Sequence, residues 1–153
     1  MEQTDADRLV QGLQRFALAS DRFIDRLAGL NGMHRTDLNA LSAVMRHELA
    51  GEAPTASQVG RDLSLSSPAT TAMLDRLERS GHVARERTDA DRRVVRVTST
   101  PKAAEDGRLM FGPMAHRLGA AFVGYTAEEV QTIERFLAEA ATAMEAAAKD
   151  LTD

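Results

Sequence analysis

Apolar residues recur along most of this chain at three- and four-residue intervals, the spacing that lines up one face of a helix. In the opening segment Leu9, Leu13, Phe16, Phe23, Ile24 and Leu27 keep that spacing with Asp, Arg and Gln between them. They predict one long amphipathic helix ending at Gly29 to Gly32. A second helix is predicted from Thr36, with Leu38, Leu41, Met45 and Leu49 as its inner stripe, stopped by Gly51 and Pro54. Thr55-Ala56-Ser57-Gln58 has the form of a capping box, and Val59, Leu63 and Leu65 follow as the anchors of a short third helix. Ser66-Ser67-Pro68 then offers an N-cap and a proline where a missing amide costs nothing, and Gly81 stands where a helix end favours glycine. A fourth helix fills that interval.

After Gly81 the period shortens to two. Val83, Arg85 and Arg87 alternate with Ala84 and Glu86, and Val94-Val95-Arg96-Val97-Thr98 follows a charged stretch, Thr88 to Arg93. This predicts a β-hairpin with a charged tip. Two helices separated by Ser64 to Ser67 have the spacing of a helix-turn-helix, and a hairpin directly behind it is a wing. If the fourth helix buries Met73, Leu74 and Leu77, Thr70 falls on the same inner side. Pro68, Ala72, Asp75 and Arg79 then point outward, with Thr71 and Arg76 flanking. Small residues at the start of such a helix can approach base edges, Arg76 and Arg79 can reach phosphates, and Arg92 and Arg93 at the wing tip suit a narrow minor groove, with Asp91 orienting Arg93. The competing reading is an ordinary surface helix whose arginines pair with Asp75 and Glu78 three or four residues away.

The last third predicts two more helices. One starts at Thr100-Pro101 and carries Leu109, Met110, Met114, Leu118 and Phe122, with Gly112-Pro113 expected to bend it. The other opens on a capping box at Thr126-Ala127-Glu128-Glu129 and runs through Val130, Ile133, Phe136, Leu137, Ala140 and Met144. The small winged lobe cannot cover both of these and the first helix. A second copy of the chain is the economical cover.

The 153 residues carry a formal net charge of -4, which argues against a nucleic-acid partner until the distribution is read. From Arg61 to Lys102 nine Lys and Arg face six Asp and Glu, leaving ten basic and seventeen acidic residues for the rest of the chain. The middle is basic and the flanks are acidic. The absence of cysteine excludes disulfides, thiolate metal sites and thiol redox sensing. No apolar run is long enough to span a membrane and the acidic amino terminus is unlike a secretory signal, so a soluble cytoplasmic protein is expected. Catalytic motifs are missing too. There is no Gly-x-Ser-x-Gly and no phosphate-binding loop, and His47-Glu48 fails the metalloprotease pattern because position 51 is Gly51. His34, His47, His82 and His116 are scattered, and surface or core roles suit them better than a metal. We expect no enzyme activity and no cofactor.

Leu65 to Val83, followed by Asp89-Ala90-Asp91-Arg92-Arg93 and Thr100-Pro101, resembles the MarR family of bacterial transcriptional regulators. The likeness is densest from Thr55 to Ala103, and the order of helices extends it over nearly the whole chain. Two positions depart from the family's pattern. Ala72 stands where many members have a basic residue, and Ser99-Thr100-Pro101-Lys102-Ala103 replaces a Leu-Thr-x-x-Gly wing end.

The resemblance implies a mainly α fold with a small β-hairpin wing, a winged helix-turn-helix plus terminal dimerisation helices. Residues 1–153 would form a single MarR-like domain, with 36–100 as the DNA-binding lobe and 1–32 and 101–153 building a homodimer. The implied function is sequence-specific binding to double-stranded DNA at a pseudo-palindromic site, as a repressor released by a small aromatic effector. DNA contacts are expected from Ser66, Ser67, Pro68, Thr71, Ala72, Arg76, Arg79, Arg87, Asp91, Arg92 and Arg93. The effector would meet Phe16, Met33, His34, Met45 or Met114, each equally plausible as core. The alternative is a winged-helix protein-interaction module that does not bind DNA.

Overall fold

The structure is a computed structural model that describes residues 3–88 and 91–151, with side chains for 5–87 and 94–151. In chain order come α1 (Gln3–Leu30), α2 (Arg35–Leu49), α3 (Ala56–Asp62), α4 (Ser67–Arg79), β1 (Val83–Thr88), β2 (Asp91–Ser99), α5 (Pro101–Phe122) and α6 (Ala127–Asp150). This is the mainly helical, single-hairpin architecture that the periodicity predicts.

Local chemistry sets the boundaries. Thr55 caps α3 through a reciprocal box, its Oγ1 accepting from Gln58 N at 3.2 Å while its own N donates to Gln58 Oε1 at 2.7 Å. Ser66 caps α4 by accepting from Ala69 N, and Pro68 occupies the first turn, where no amide is needed. Gly81, at φ 76°, turns the chain from α4 into the wing in a region of backbone space that side chains disfavour. Ser64 takes a left-handed φ of 53° in the turn between α3 and α4, although it carries a Cβ.

The chain divides into two compact units, Met1–Met110 and Phe111–Asp153. The core of the first consists of Ala40, Leu41 and Val44 of α2, Val59 of α3, Met73, Leu74 and Leu77 of α4, Val83 and Val97 of the hairpin, and Ala103 of α5. One detail of the expected packing is corrected. Leu49 is 90% exposed, because it is the final residue of α2 and lies beyond the core, whose α2 stripe is Leu38, Ala40, Leu41, Ala43 and Val44. In α1 Leu27 and Ala28 are buried, whereas Leu9 and Phe16 are exposed.

β1 and β2 pair antiparallel with Val83 opposite Ser99, Arg85 opposite Val97 and Arg87 opposite Val95, so these six share one face. The hairpin is tied to the lobe along its other edge. Val97 N donates to Pro54 O at 2.8 Å, and Glu48 accepts from Ser99 N at 2.8 Å and Ser99 Oγ at 2.6 Å.

The second unit contains the latter part of α5 and all of α6. Helix α5 continues through Pro113, and α6 begins with the expected capping box between Thr126 and Glu129. No residue of α6 is buried. Among the described residues, no helix is long and apolar enough to cross a membrane.

Candidate nucleic-acid interface

Helix α4 is held by its inner face. Thr70, Met73, Leu74 and Leu77 are buried, as the spacing predicts, while Ser66, Ser67, Pro68, Thr71, Ala72 and Arg79 are exposed. The approach of α3 to α4 is close enough to require Gly60. A Cβ there would lie 2.5 Å from Thr70 Oγ1, which itself donates to Ser66 O at 2.9 Å. Between the two helices runs a groove of about 310 Å³ lined by Ala56, Ser57, Gly60, Arg61, Leu65, Ser67, Thr70 and Thr71. The Thr71 hydroxyl donates back to Ser67 O at 3.0 Å, so its methyl is the group left to the surface.

The arginines divide by partner. Arg76 Nε donates to Asp37 Oδ2 at 3.1 Å and Arg76 Nη2 to Asp37 Oδ1 at 2.6 Å, a bidentate pair linking α4 to the start of α2. Its guanidinium is therefore engaged inside the lobe. Arg85 of β1 donates from Nε to Glu78 Oε2 at 3.0 Å and from Nη2 to both Glu78 and Asp75. Those carboxylates raise the Arg85 pKa, Glu78 most and Asp75 next. The same-helix pairing of Arg76 or Arg79 with Asp75 and Glu78 is not what the structure shows; their partner comes from the wing.

Arg79 and Arg87 are exposed, and Arg87 lies on the hairpin face that carries Arg85, two residues closer to the tip. The backbone of Asp91, Arg92 and Arg93 belongs to β2, but their side chains lie outside the described residues, as do Asp89 and Ala90. The hairpin thus follows α4 through Gly81, anchored by buried Val83 and Val97. Helix, turn, capped helix and anchored hairpin in this order are the anatomy of a winged helix-turn-helix.

Comparison with known proteins agrees with that anatomy. The sequence profile of the MarR family matches residues 31–94. The uncharacterized HTH-type transcriptional regulator YcgE of Bacillus subtilis is 34% identical over 139 residues, covering 89% of this chain and 86% of YcgE. The chain belongs to the MarR family of transcriptional regulators. Its fold is also that of a MarR family protein from Bacillus stearothermophilus, with a TM-score of 0.70, 21% identity and coverage of 95% of this chain and 99% of the other. FabT of Streptococcus pneumoniae, solved in complex with DNA, matches with a TM-score of 0.62 at 21% identity over 92% of this chain and 97% of its own.

The five MarR-like effector candidates are not equivalent. Met33 and Met45 are half-buried against the core of the first unit, Phe16 and His34 are exposed, and Met114 belongs to the second unit. None of the five lines the groove between α3 and α4.

The residues that sequence reasoning missed are Asp37, Gly60 and the carboxylate-binding role of Arg85. Asp37 lies 39 positions from Arg76, so no local spacing announces the pair. A second unforeseen cluster joins the end of α4 to α5. The buried His82 ring meets Ser80 Oγ through Nδ1 at 2.6 Å and Asp106 Oδ2 through Nε2 at 3.0 Å, and Lys102 also donates to Asp106. Lys102, followed by His82, holds the Asp106 carboxyl below its ordinary range. Among the described residues no group of three or more His, Cys, Asp or Glu is arranged to hold a metal ion.

Proposed function

We propose that this regulator binds a pseudo-palindromic DNA site as a homodimer, with α4 in the major groove and the hairpin reaching the adjacent minor groove. The observation that carries the reading is the exposed first half of α4. Ser67, Pro68, Thr71 and Ala72 present small side chains on a helix whose opposite face is locked into the core. The shared fold with FabT, solved in complex with DNA, supports it. Arg79, Arg87, Arg92 and Arg93 supply phosphate and minor-groove contacts, with Asp91 orienting Arg93, and Arg76 contributes by holding α4 in place.

Exposed apolar residues favour a second copy as the cover for the terminal helices. Val123 is 85% exposed and Met144 73%, and Leu109, Phe122, Tyr125 and Leu137 are also open. In this reading 1–32 and 101–153 form the dimer and 36–100 the DNA-binding lobe. A two-fold dimer presents its recognition helices about 34 Å apart, one turn of DNA. The regulator acts as a repressor, released when a small aromatic molecule favours a different spacing of the two lobes; Phe16, Met33, His34, Met45 and Met114 are its candidate contacts.

Selection of sequences from a random duplex library, with Arg79→Ala and Arg93→Ala run beside wild type at fixed salt, tests the DNA reading. A pseudo-palindrome enriched by wild type and weakened in both variants is expected. No enrichment at any salt concentration would move the protein-interaction module ahead. Sedimentation equilibrium tests the dimer, which a monomer mass at micromolar concentration would overturn.

A further inference from the structure

The outward stripe of α4 runs Pro68, Ala72, Asp75, Arg79, with Asp75 half-buried, so a carboxylate sits in the middle of the surface that would face DNA. Glu78, three residues on, is a second one. Two like charges at this spacing repel one another, both lie in the half of the helix where the dipole disfavours anions, and either would repel a phosphate. One side chain meets both. Arg85 reaches across from β1, donating to Glu78 from two of its nitrogens and to Asp75 from one, with its own side chain only 25% exposed. Arg76 cannot serve, being committed to Asp37. With Arg76 balanced by Asp37, Asp75 and Glu78 are met by Arg85 and Arg79; without Arg85 one of the two carboxylates is left uncompensated.

We propose that Arg85 serves DNA binding as a positioning residue that never touches the DNA: its role is to mask the carboxylates of Asp75 and Glu78. The inference rests on the DNA-binding reading above. A lysine could cancel one charge, but the planar fork is what spans two carboxylates at once.

The masking role makes a claim about coupling. A residue that only touches a phosphate loses the same affinity whether or not the carboxylates are present, and its loss lowers the salt slope by about one ion. A masking residue does not. The experiment is a cycle of operator affinities at fixed salt for wild type, Arg85→Met, the pair Asp75→Asn with Glu78→Gln, and all three together, using the sequence that wild type selects. Methionine keeps an apolar stem over the hairpin while deleting the charge. Arg85→Met is expected to weaken binding by about 10-fold, equivalent to about 1.4 kcal/mol, and the neutral pair to change wild type by less than about 3-fold. In the triple variant the neutral pair should restore affinity to within about 3-fold of wild type. Additive effects would overturn the proposal. If Arg85→Met melts below the assay temperature, Arg85→Lys takes its place in the same cycle, with partial loss and the same rescue expected. Failure of wild type to select any sequence is a different outcome, which sinks the DNA-binding reading and this inference with it.

Discussion

Asp37 and Arg76 form a two-bond ion pair across the lobe, with the Asp37 side chain 7% exposed and that of Arg76 35%. The carboxylate is nearly out of water, so the guanidinium supplies its solvation. Truncating Arg76 to Ala leaves a buried carboxylate without partners and is expected to lower stability by about 2 to 3 kcal/mol in urea unfolding. Arg76→Lys should recover only part of that, since one ammonium cannot reproduce the fork. Wild-type stability in Arg76→Ala would show that the pair contributes nothing.

Gly60 is a second structural constraint on α4. Gly60→Ala places a methyl against the Thr70 side chain and is expected to cost about 1 to 3 kcal/mol through overpacking. Adding Thr70→Ala removes the two nearest atoms and should return part of the loss. The prediction fails if the two substitutions are additive when unfolding is followed by fluorescence-independent probes such as circular dichroism.

Asp106 links stability to pH. Its carboxyl is held below the ordinary range by Lys102 first and His82 next, so the folded chain releases this proton more readily than the unfolded one. The stabilisation is therefore present above about pH 4, where an unfolded carboxyl is already ionised, and is lost as pH falls through that value and below. The difference in urea midpoint between wild type and Asp106→Asn should be full near pH 5 and shrink toward pH 3. A difference that holds constant over that range would rule the linkage out.

Helix α6 depends on its start. Thr126 Oγ1 accepts from Glu129 N at 3.3 Å, and Thr126 N donates to Glu129 Oε2 at 2.8 Å. The Thr126 backbone N–H, together with the Thr126 hydroxyl, which donates to Glu129 Oε2 at 2.9 Å, holds the Glu129 carboxyl below its usual range. Thr126→Ala should lower stability by about 1 kcal/mol, seen as an earlier loss of helical circular dichroism on heating. An unchanged melting curve would count against the cap.

Every helix and the hairpin were legible in the sequence because their signals are local. The Thr55 and Thr126 capping boxes, Pro68, Gly81 and the switch from helical to alternating spacing each act within a few residues, and the observed starts of α3, α4 and α6 and the end of α4 fall where those residues place them. The buried face of α4, Thr70 included, follows from helical geometry alone. What an arginine does is not local. Arg76, Arg79 and Arg85 have the same chemistry, and only the packing of α2 and β1 around α4 assigns the first to Asp37, leaves the second exposed and gives the third to Asp75 and Glu78. Leu49 makes the same point from the apolar side, since its helical position marks it as core and only the length of the lobe leaves it in water. Periodicity and caps act over one or two turns of chain and can be read in order; charge pairing and burial depend on residues tens of positions apart, which only the tertiary structure brings together.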